Sequence, residues 1–519
     1  MSYRQRFDRV VVRRLAAALL WVFAGAAAGC ASTWPADVER TLAGAGENRG
    51  ELERVLDHYR KEGDEQKLRA AEFLIANMDG HGYTVTALYD AEKNEIAFDA
   101  LDHAGFGEAM EVLDVLEAEH GELDFKRKRF DADVETVSAD YLIENIDLAF
   151  EAWREKPWAG DLSFDAFCQY VLPYRGSNEP VNSWRKACLA RYADLAGKME
   201  NPADPGEAGR LIRQDVHQWV RFSDLYYLHP TDQGFQEMNE RRLGRCEDIS
   251  NMMGYAMRAN AIPVATDYTP YWADRDNNHA WEVMLDEQGR GRAGLSNRAA
   301  KVYRKTFALQ PDSLGARKTE EEKVPAWLAG RNYMDVTAQY LPTSGVTVRL
   351  ENDVPPGARF AYLCVFNGGE WKAIHWGEIV GDQVTFTAMG RRIAYLPAFY
   401  VDEELAPAAA PFILDEAGNV RALRSDSDEQ LAVEIAATTP ATPDADTRID
   451  RPMILVKPGR SYELFIWDDE WRSLGSHPAG AEPVAFESVP SGGLFWMVEE
   501  GSRRLERIFT IEQGRQVWW

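Results

Sequence analysis

The sequence predicts a multidomain α+β protein, and three observations indicate this fold class. At 519 residues the chain is too long for one ordinary domain. Between residues 50 and 204 the apolar residues recur mostly at helical spacing. After Asp335 short β-type runs are separated by Gly, Pro, Asn and Asp. We therefore expect a mostly helical N-terminal region, an α+β core and two tandem C-terminal β-sandwich domains.

The first 29 residues are predicted to be a lipoprotein signal peptide. Arginines precede an apolar run over 15–28, which is shorter than the roughly 20 residues that a membrane-spanning helix needs. The run ends at Cys30 in a sequence that resembles a bacterial lipobox, which implies cleavage before Cys30 and a lipid such as palmitate on its thiol. Plain secretory cleavage, with Cys30 incidental, is the alternative, and both export the protein. The alanine after Cys30 implies, by the same resemblance, an outer-membrane location facing the periplasm or the cell surface.

The rest of the chain divides by composition and pattern. Small and polar residues after Cys30 indicate a tether, and a Pro/Ala/Thr-rich stretch at 437–447 indicates a linker. The predicted segments are the tether at 30–49, a helical N-terminal domain at 50–204, an α+β core at 205–330, and β-sandwich domains at 331–436 and 448–519.

The two predicted β-sandwich domains are related by an internal repeat with an offset of 100 residues. Each copy has a β-type run, a Gly/Asp turn, a Glu-Trp pair and a stretch with alternating Val and Phe. Six positions match in register, which favours two related domains over chance β composition. The matches are Tyr362, Glu370, Trp371, Val384, Phe386 and Tyr395 with Tyr462, Glu470, Trp471, Val484, Phe486 and Phe495.

The charge of the chain argues against nucleic acid as a partner. The net charge is −26, and it is −30 without the first 29 residues, which carry five arginines and one aspartate. So negative a protein repels nucleic acid and anionic lipid, and we expect membrane contact through the lipid anchor only. Export permits a disulfide between Cys168 and Cys188, which their spacing does not decide. No pattern in the sequence indicates an oligomeric state.

A cysteine and a histidine in the predicted core carry the candidate chemistry. Cys246 precedes apolar residues at helical spacing, so it is expected in the first turn of a helix, where the dipole and unpaired N–H groups favour a thiolate. His279 begins a run of alternating faces, as in a strand. A strand packed beside the helix would let the imidazole pair with the thiolate. The acidic neighbours Glu247 and Asp248 oppose ionisation of the thiol.

These motifs resemble the transglutaminase-like family of papain-type cysteine enzymes. They are Gly-x-Cys at 244–246, Ala-Ile-Pro-Val at 261–264 and His-Ala-Trp-x-Val at 279–283, in that order. The resemblance covers residues 205–310 and implies a papain/transglutaminase-like α+β core with Cys246 and His279 as the catalytic pair. It also implies attack on amide bonds through a thioester acyl-enzyme.

The third member of such a site is the point at which the sequence departs from the family's pattern. The family usually has an aspartate on the strand after the histidine, whereas residues 291–297 contain no acid. We expect Asn297 to orient His279, since asparagine takes this role in papain-like enzymes. A core that binds without catalysis is the alternative.

Two classes of function therefore remain open on the sequence. The first is a cysteine peptidase or amidase, with hydrolysis favoured over crosslinking, that acts on a protein, peptide or glycopeptide substrate. The second is a catalytically inactive lipoprotein that binds a glycan or a protein. The scattered histidines and cysteines lack metal-ligand spacing, so we expect no metal and no cofactor.

Overall fold

The computed structural model describes residues 34–295, 297–442, 452–481, 483–502 and 506–519. The predicted signal peptide and Cys30 lie outside these ranges. Within them, no helix has the length and apolar character to cross a bilayer. Helices and several β-sheets both occur, so the predicted multidomain α+β class is confirmed.

The N-terminal region is a helical assembly with a small antiparallel sheet, β2-β1-β3, inserted in it. In β1 the threonines Thr84 and Thr86 alternate with Val85 and Ala87, a strand pattern that the prediction of a mostly helical region overlooked. The strands are β1 (Gly82–Tyr89), β2 (Glu95–Ile96) and β3 (Asp124–Ala132). The helices are α1 (Ala36–Gly44), α2 (Arg49–Glu62), α3 (Glu65–Ala76), α4 (Phe106–His120), α5 (Asp133–Thr136), α6 (Ala139–Glu155), α7 (Phe164–Tyr170) and α8 (Arg185–Arg191).

The prediction of a tether at 30–49 is wrong where the structure describes this segment. Helix α1 occupies much of it, and Val38 and Leu42 are buried one turn apart on its inner face. The guanidinium of Arg60 on α2 covers the ring of Trp34 just before α1. The many small residues concealed a short amphipathic helix that packs against α2 and α3.

The core contains the elements that carry the candidate site, and its sheet extends beyond the predicted end at 330 to include Tyr333–Asp335. Its four-stranded antiparallel sheet has the order β7-β6-β8-β9, and helix α11 packs against β6 and β7. The helices are α9 (Pro205–Trp219), α10 (Phe235–Arg241), α11 (Cys246–Ala259), α12 (Leu314–Arg317) and α13 (Thr337–Tyr340). The strands are β4 (Arg221–Phe222), β5 (Leu243–Gly244), β6 (Val264–Thr269), β7 (His279–Met284), β8 (Tyr303–Lys305) and β9 (Tyr333–Asp335).

The helical region and this sheet share one hydrophobic core. Leu56 from α2, Ile146 from α6 and Met253 from α11 all belong to a single buried cluster. Two polar contacts cross the same junction: the indole N–H of Trp158 donates to the carbonyl of Asn260 at 2.7 Å, and Arg185 donates to the carbonyl of Arg258 at 3.0 Å. The predicted boundary at 204/205 therefore does not separate two cores.

The first C-terminal β domain is one curled sheet with the order β10-β13-β12-β11-β14-β16-β17, and β15 pairs with β14. Side chains from six of these strands meet in one buried cluster, so the sheet curls around it instead of forming the predicted sandwich of two facing sheets. The strands are β10 (Thr343–Arg349), β11 (Phe360–Asn367), β12 (Glu370–Val380), β13 (Gln383–Gly390), β14 (Ile393–Val401), β15 (Glu404–Pro407), β16 (Phe412–Leu414) and β17 (Val420–Ala422).

The second β domain repeats the pairings of the first, which confirms the internal repeat. Strand β21 pairs with β22 and β24, as β11 pairs with β12 and β14. The registers of β11 and β21 shift at equivalent places, after Leu363 and Glu463. The strands are β18 (Asp426–Ile435), β19 (Ala437–Thr439), β20 (Ile454–Leu455), β21 (Ser461–Asp468), β22 (Glu470–Pro478), β23 (Val484–Ser491), β24 (Phe495–Glu499), β25 (Ile508–Glu512) and β26 (Arg515–Trp518).

The prediction of a linker at 437–447 is wrong over its described part. Strand β19 lies there and pairs with β20. Strand β18, which precedes it, already pairs with β23. Val433 and Ile435 on β18 are buried in the second domain's core, so this domain begins ahead of the predicted linker.

A buried polar network fixes the sheet of the core. Arg304 on β8 and Asp267 on β6 form an ion pair in which both side chains are fully buried. The hydroxyl of Tyr340 donates to Asp267 at 2.6 Å, and the indole N–H of Trp281 donates to that hydroxyl at 3.0 Å. Because Trp281 lies two residues after His279, the network also holds the strand that carries the candidate histidine.

The substitution Asp267→Ala is expected to lower the free energy of unfolding by about 3–5 kcal/mol, because Arg304 would stay buried without its partner. Urea unfolding followed by far-UV circular dichroism measures this loss. The control Asp382→Ala breaks an exposed pair with Arg349 and should cost at most about 1 kcal/mol. Equal losses in the two variants would contradict the role given to the buried pair.

Candidate active site

Cys246 is the first residue of α11, as predicted, and a carboxylate fixes the turn before it. Asp248 accepts hydrogen bonds from the backbone N–H groups of Arg245 and Gln233, at 2.9 and 3.1 Å. At Gly244 a Cβ would lie 2.7 Å from the Cβ of Asp248, so the chain can approach the helix start this closely only with glycine there. The thiol therefore has a defined position beside the unpaired N–H groups of the first helical turn.

Cys246 is the accessible thiol among the four cysteines that the structure describes. It is half-buried, whereas Cys168, Cys188 and Cys364 are buried, and all four are free. The disulfide considered for Cys168 and Cys188 is therefore not formed. Burial raises the pKa of both of these thiols to about 12. A reagent at neutral pH should thus distinguish Cys246 from the other three.

Helix α11 brings Cys246 to the first residues of β7. The backbone N–H of Ala280 acts on the thiol as a hydrogen-bond donor that lowers its pKa. The hydroxyl of Ser250, one turn along α11, lies 3.5 Å from the carbonyl oxygen of Ala280. His279 is the residue directly before Ala280, so the predicted strand-borne histidine and helix-start cysteine lie at one contact between α11 and β7.

Two indole rings lie nearly parallel to the imidazole of His279. The ring centroids of Trp272 and Trp281 lie 6.1 and 5.3 Å from that of His279, and the ring planes are inclined by 24° and 28°. Trp281 is held by its hydrogen bond to Tyr340. Such nearly parallel packing restricts the rotation of an imidazole.

The surroundings of Cys246 have opposing effects on its pKa. Burial raises the pKa of the thiol, and the carboxylate of Glu247 raises it further. The N–H of Ala280, the hydroxyl of Tyr227 and the guanidinium of Arg245 lower it. The net effect of these groups is a pKa above the ordinary thiol value, so they do not by themselves produce a thiolate.

Glu247 keeps its negative charge through an ion pair with Lys305. Burial opposes ionisation, but Lys305 and Arg245 lower the pKa of Glu247 to about 2. The hydroxyl of Ser177 also donates to this carboxylate, at 2.7 Å. Because Lys305 offsets part of the charge of Glu247, the repulsion between this carboxylate and a Cys246 thiolate is reduced.

Tyr227 is a residue of the site that sequence reasoning missed. It lies in a 3₁₀ turn, Asp224–Leu228, and its hydroxyl is 3.8 Å from the Sγ of Cys246. An aromatic residue in an irregular segment 19 positions before the cysteine gives no periodic signal. The ring of Tyr227 packs edge-on against that of Phe222 at 6.4 Å, and these two side chains, 36% and 52% exposed, form an apolar face.

Asn297, the predicted third member, is buried on the segment that follows β7. Two residues later, Ala299 forms an isolated β-bridge with Trp272, whose ring lies over His279. Its role in orienting the imidazole stays a prediction. Within the described residues, no three His, Cys, Asp or Glu side chains are grouped as they would be to hold a metal ion.

Comparison with known proteins places this site within a recognised domain. Residues 193–290 match the family model of the transglutaminase-like superfamily, and the match includes Cys246 and His279 but ends before Asn297. A search of curated proteins gives no match to the chain. The matched segment begins ahead of the predicted start of the core at 205 and includes α9, α11, β6 and β7. Residues 193–290 thus form a core domain of the transglutaminase-like superfamily.

Proposed function

We propose that this protein is an exported, lipid-anchored cysteine hydrolase that cleaves amide bonds through Cys246 and His279. The observation that carries the proposal is the contact between the start of α11 and the start of β7. There the only half-buried thiol among the described cysteines lies against the N–H of Ala280, one residue from His279. A helix-start cysteine beside a strand-borne histidine meets the geometric needs of acyl transfer.

The reaction has two steps. The Sγ of Cys246 attacks the carbonyl carbon of an amide, and His279 holds the proton that the thiol has given up. As the C–N bond breaks, that proton passes to the leaving amine, and a thioester remains on the enzyme. Water then attacks the thioester with His279 as base, which releases a carboxylate and restores the thiol. Asn297 is proposed to orient His279 throughout.

The oxyanion of each tetrahedral intermediate has two sources of stabilisation near the sulfur. The first is the set of backbone N–H groups in the first turn of α11, which begins at Cys246. The second is the hydroxyl of Tyr227, whose distance from the sulfur allows it to reach an atom bound to the thioester carbon.

Hydrolysis is proposed over crosslinking, and a peptide or glycopeptide over a small amide. Water is abundant outside the cell, whereas a transferase would need a site for a second, amine substrate. The exposed face of Phe222 and Tyr227 offers an apolar surface to a substrate side chain beside the thiol. A catalytically inactive binding protein is the alternative, and thiol reactivity distinguishes the two.

The proposed location rests on the first thirty residues. The arginine-rich start, the short apolar run and the small residues before Cys30 are typical of lipoprotein export. The net charge of −30 beyond that segment favours contact with the membrane through lipid alone. Metabolic labelling with radioactive palmitate, compared between the wild-type protein and Cys30→Ser, tests this part separately.

Cys246 is expected to react with iodoacetamide below about pH 7, because an imidazolium at His279 would hold the thiolate. In His279→Ala the labelling midpoint should rise above that of an ordinary thiol, since burial and Glu247 both raise the pKa of Cys246. Site-resolved mass spectrometry across a pH series measures both profiles. Cys168, Cys188 and Cys364 in the same sample should stay unlabelled and serve as reporters of folding. Identical profiles with and without His279 would reject catalysis and favour the binding protein.

The apolar face beside the thiol is expected to select reagents with a ring. N-benzyl iodoacetamide should label Cys246 faster than iodoacetamide, and Phe222→Ala should reduce the ratio of the two rates about fivefold, since an aromatic pair contributes about 1 kcal/mol. The control Val380→Ala removes a side chain that is 76% exposed on β12, and it should leave the ratio unchanged. A ratio that is the same in wild type and Phe222→Ala would show that this face does not contact the substrate.

A further inference from the structure

The loop between β6 and β7 is held by both C-terminal β domains. This loop, residues 270–278, leads directly into His279, and it contains Asn277 in the left-handed region with φ of 76°. One backbone hydrogen bond closes the loop, from the N–H of Trp272 to the carbonyl of Asn277 at 3.1 Å. A loop with one internal bond of this kind needs outside contacts to hold a single conformation.

Asn367, at the end of β11 in the first β domain, makes four hydrogen bonds to this loop. Its side-chain amide donates to the carbonyl oxygens of Trp272, Arg275 and Asn277, each at 3.0 Å. Its side-chain oxygen accepts from the N–H of Asn277 at 3.2 Å. Asn367 is 4% exposed, and no other buried side chain described for this domain makes four hydrogen bonds to the loop. The backbone N–H of the next residue, Gly368, donates to Asp276 at 2.9 Å.

Arg507, in the second β domain, holds the same loop from another side. Its guanidinium donates to the carbonyl of Ala273 at 2.6 Å and to the carboxylate of Asp276 at 3.3 Å. It also donates to the carbonyl of Phe366, which precedes Asn367 in β11. Arg507 is 1% exposed, so these oxygens replace water as the hydrogen-bond acceptors of its guanidinium. The loop, the turn after β11 and the second β domain thus meet at one buried cation.

We infer that Asn367 is a positioning residue for His279, with Arg507 in support, so that the C-terminal β domains are part of the active site. The inference rests on the proposed function, because it concerns how the catalytic histidine is placed. Asn277, which donates one hydrogen bond to Asn367 and accepts another from it, is separated from His279 by one residue. A displacement of this loop would move the imidazole relative to Cys246, and an error of 1 Å in such a pair can reduce the rate by about 100-fold.

Comparison of the two copies of the internal repeat supports this role for Asn367. At the position of Asn367 the second copy has Trp467, whose ring packs at 5.6 Å from that of Trp371 in the first. The equivalent turn of the second domain therefore serves the contact between the two β domains. The repeat supplies the same hairpin twice, and only the copy with asparagine reaches the loop before His279.

The test compares pH profiles of iodoacetamide labelling at Cys246 in the full-length wild type, Asn367→Leu and Asn352→Leu. Leucine has a similar volume but cannot hold the loop, so labelling below about pH 7 should fall about 10-fold, which corresponds to one unit in the pKa of the thiol. Asn352 donates to one carbonyl, that of Pro407, in the same domain, and its replacement should change nothing. Cys364, on the same strand as Asn367, must stay unlabelled, which shows that the domain is folded.

A double variant separates positioning from a general loss of structure. If Asn367 acts through His279, Asn367→Leu should have no further effect on the profile in the His279→Ala background. Additive effects, or a wild-type profile in Asn367→Leu, would overturn the inference. A wild-type protein that lacks low-pH labelling altogether would instead contradict the proposed function. Should Asn367→Leu expose Cys364, the milder Arg507→Lys variant gives the same comparison.

Discussion

The packing of the first turn of α11 on the first residues of β7 is the contact on which the proposed chemistry depends. It places a half-buried sulfur against the N–H of Ala280 and sets His279 one residue away. Asp248 caps the helix, while the network from Trp281 through Tyr340 to Asp267 fixes the strand. Cys246 and His279 are therefore positioned by separate sets of contacts: the cap at the start of α11 positions the cysteine, and the network on β7 positions the histidine.

Burial and the charges around Cys246 favour a thiol that ionises only when a further positive charge is near it, and not a permanent thiolate. Burial and Glu247 raise the pKa of Cys246, and Lys305 offsets much of the carboxylate's charge. A protonated imidazole at His279 would lower the pKa of the thiol, because a positive charge near the sulfur favours the thiolate. The exposed apolar face of Phe222 and Tyr227 beside the thiol suits the approach of an uncharged amide.

Much of the site could be predicted from the sequence, because its two main residues begin regular elements. The apolar spacing after Cys246 and the alternation after His279 reveal a helix and a strand without any tertiary knowledge. The missing parts depend on long-range contacts. Asn367 lies 90 residues from Asn277, and Tyr227 lies in an irregular turn, so neither leaves a local pattern.

The prediction of the fold missed two elements. Small residues obscured the helical pattern of α1, and the proline-rich stretch after β18 was interpreted as a linker between domains. The shared core of the helical region and the sheet likewise emerges only from packing.

The measurement that tests the central claim most directly is the titration of His279 by NMR, with carbon-13 in the imidazole rings. A thiolate–imidazolium pair predicts a His279 pKa well above the ordinary value of about 6.5 in the wild type. Replacement Cys246→Ser should return it toward that value, while the other histidines of the nine in the chain keep their titration curves. A His279 curve that is the same in both proteins would contradict the pairing of the two residues, and with it the proposed mechanism.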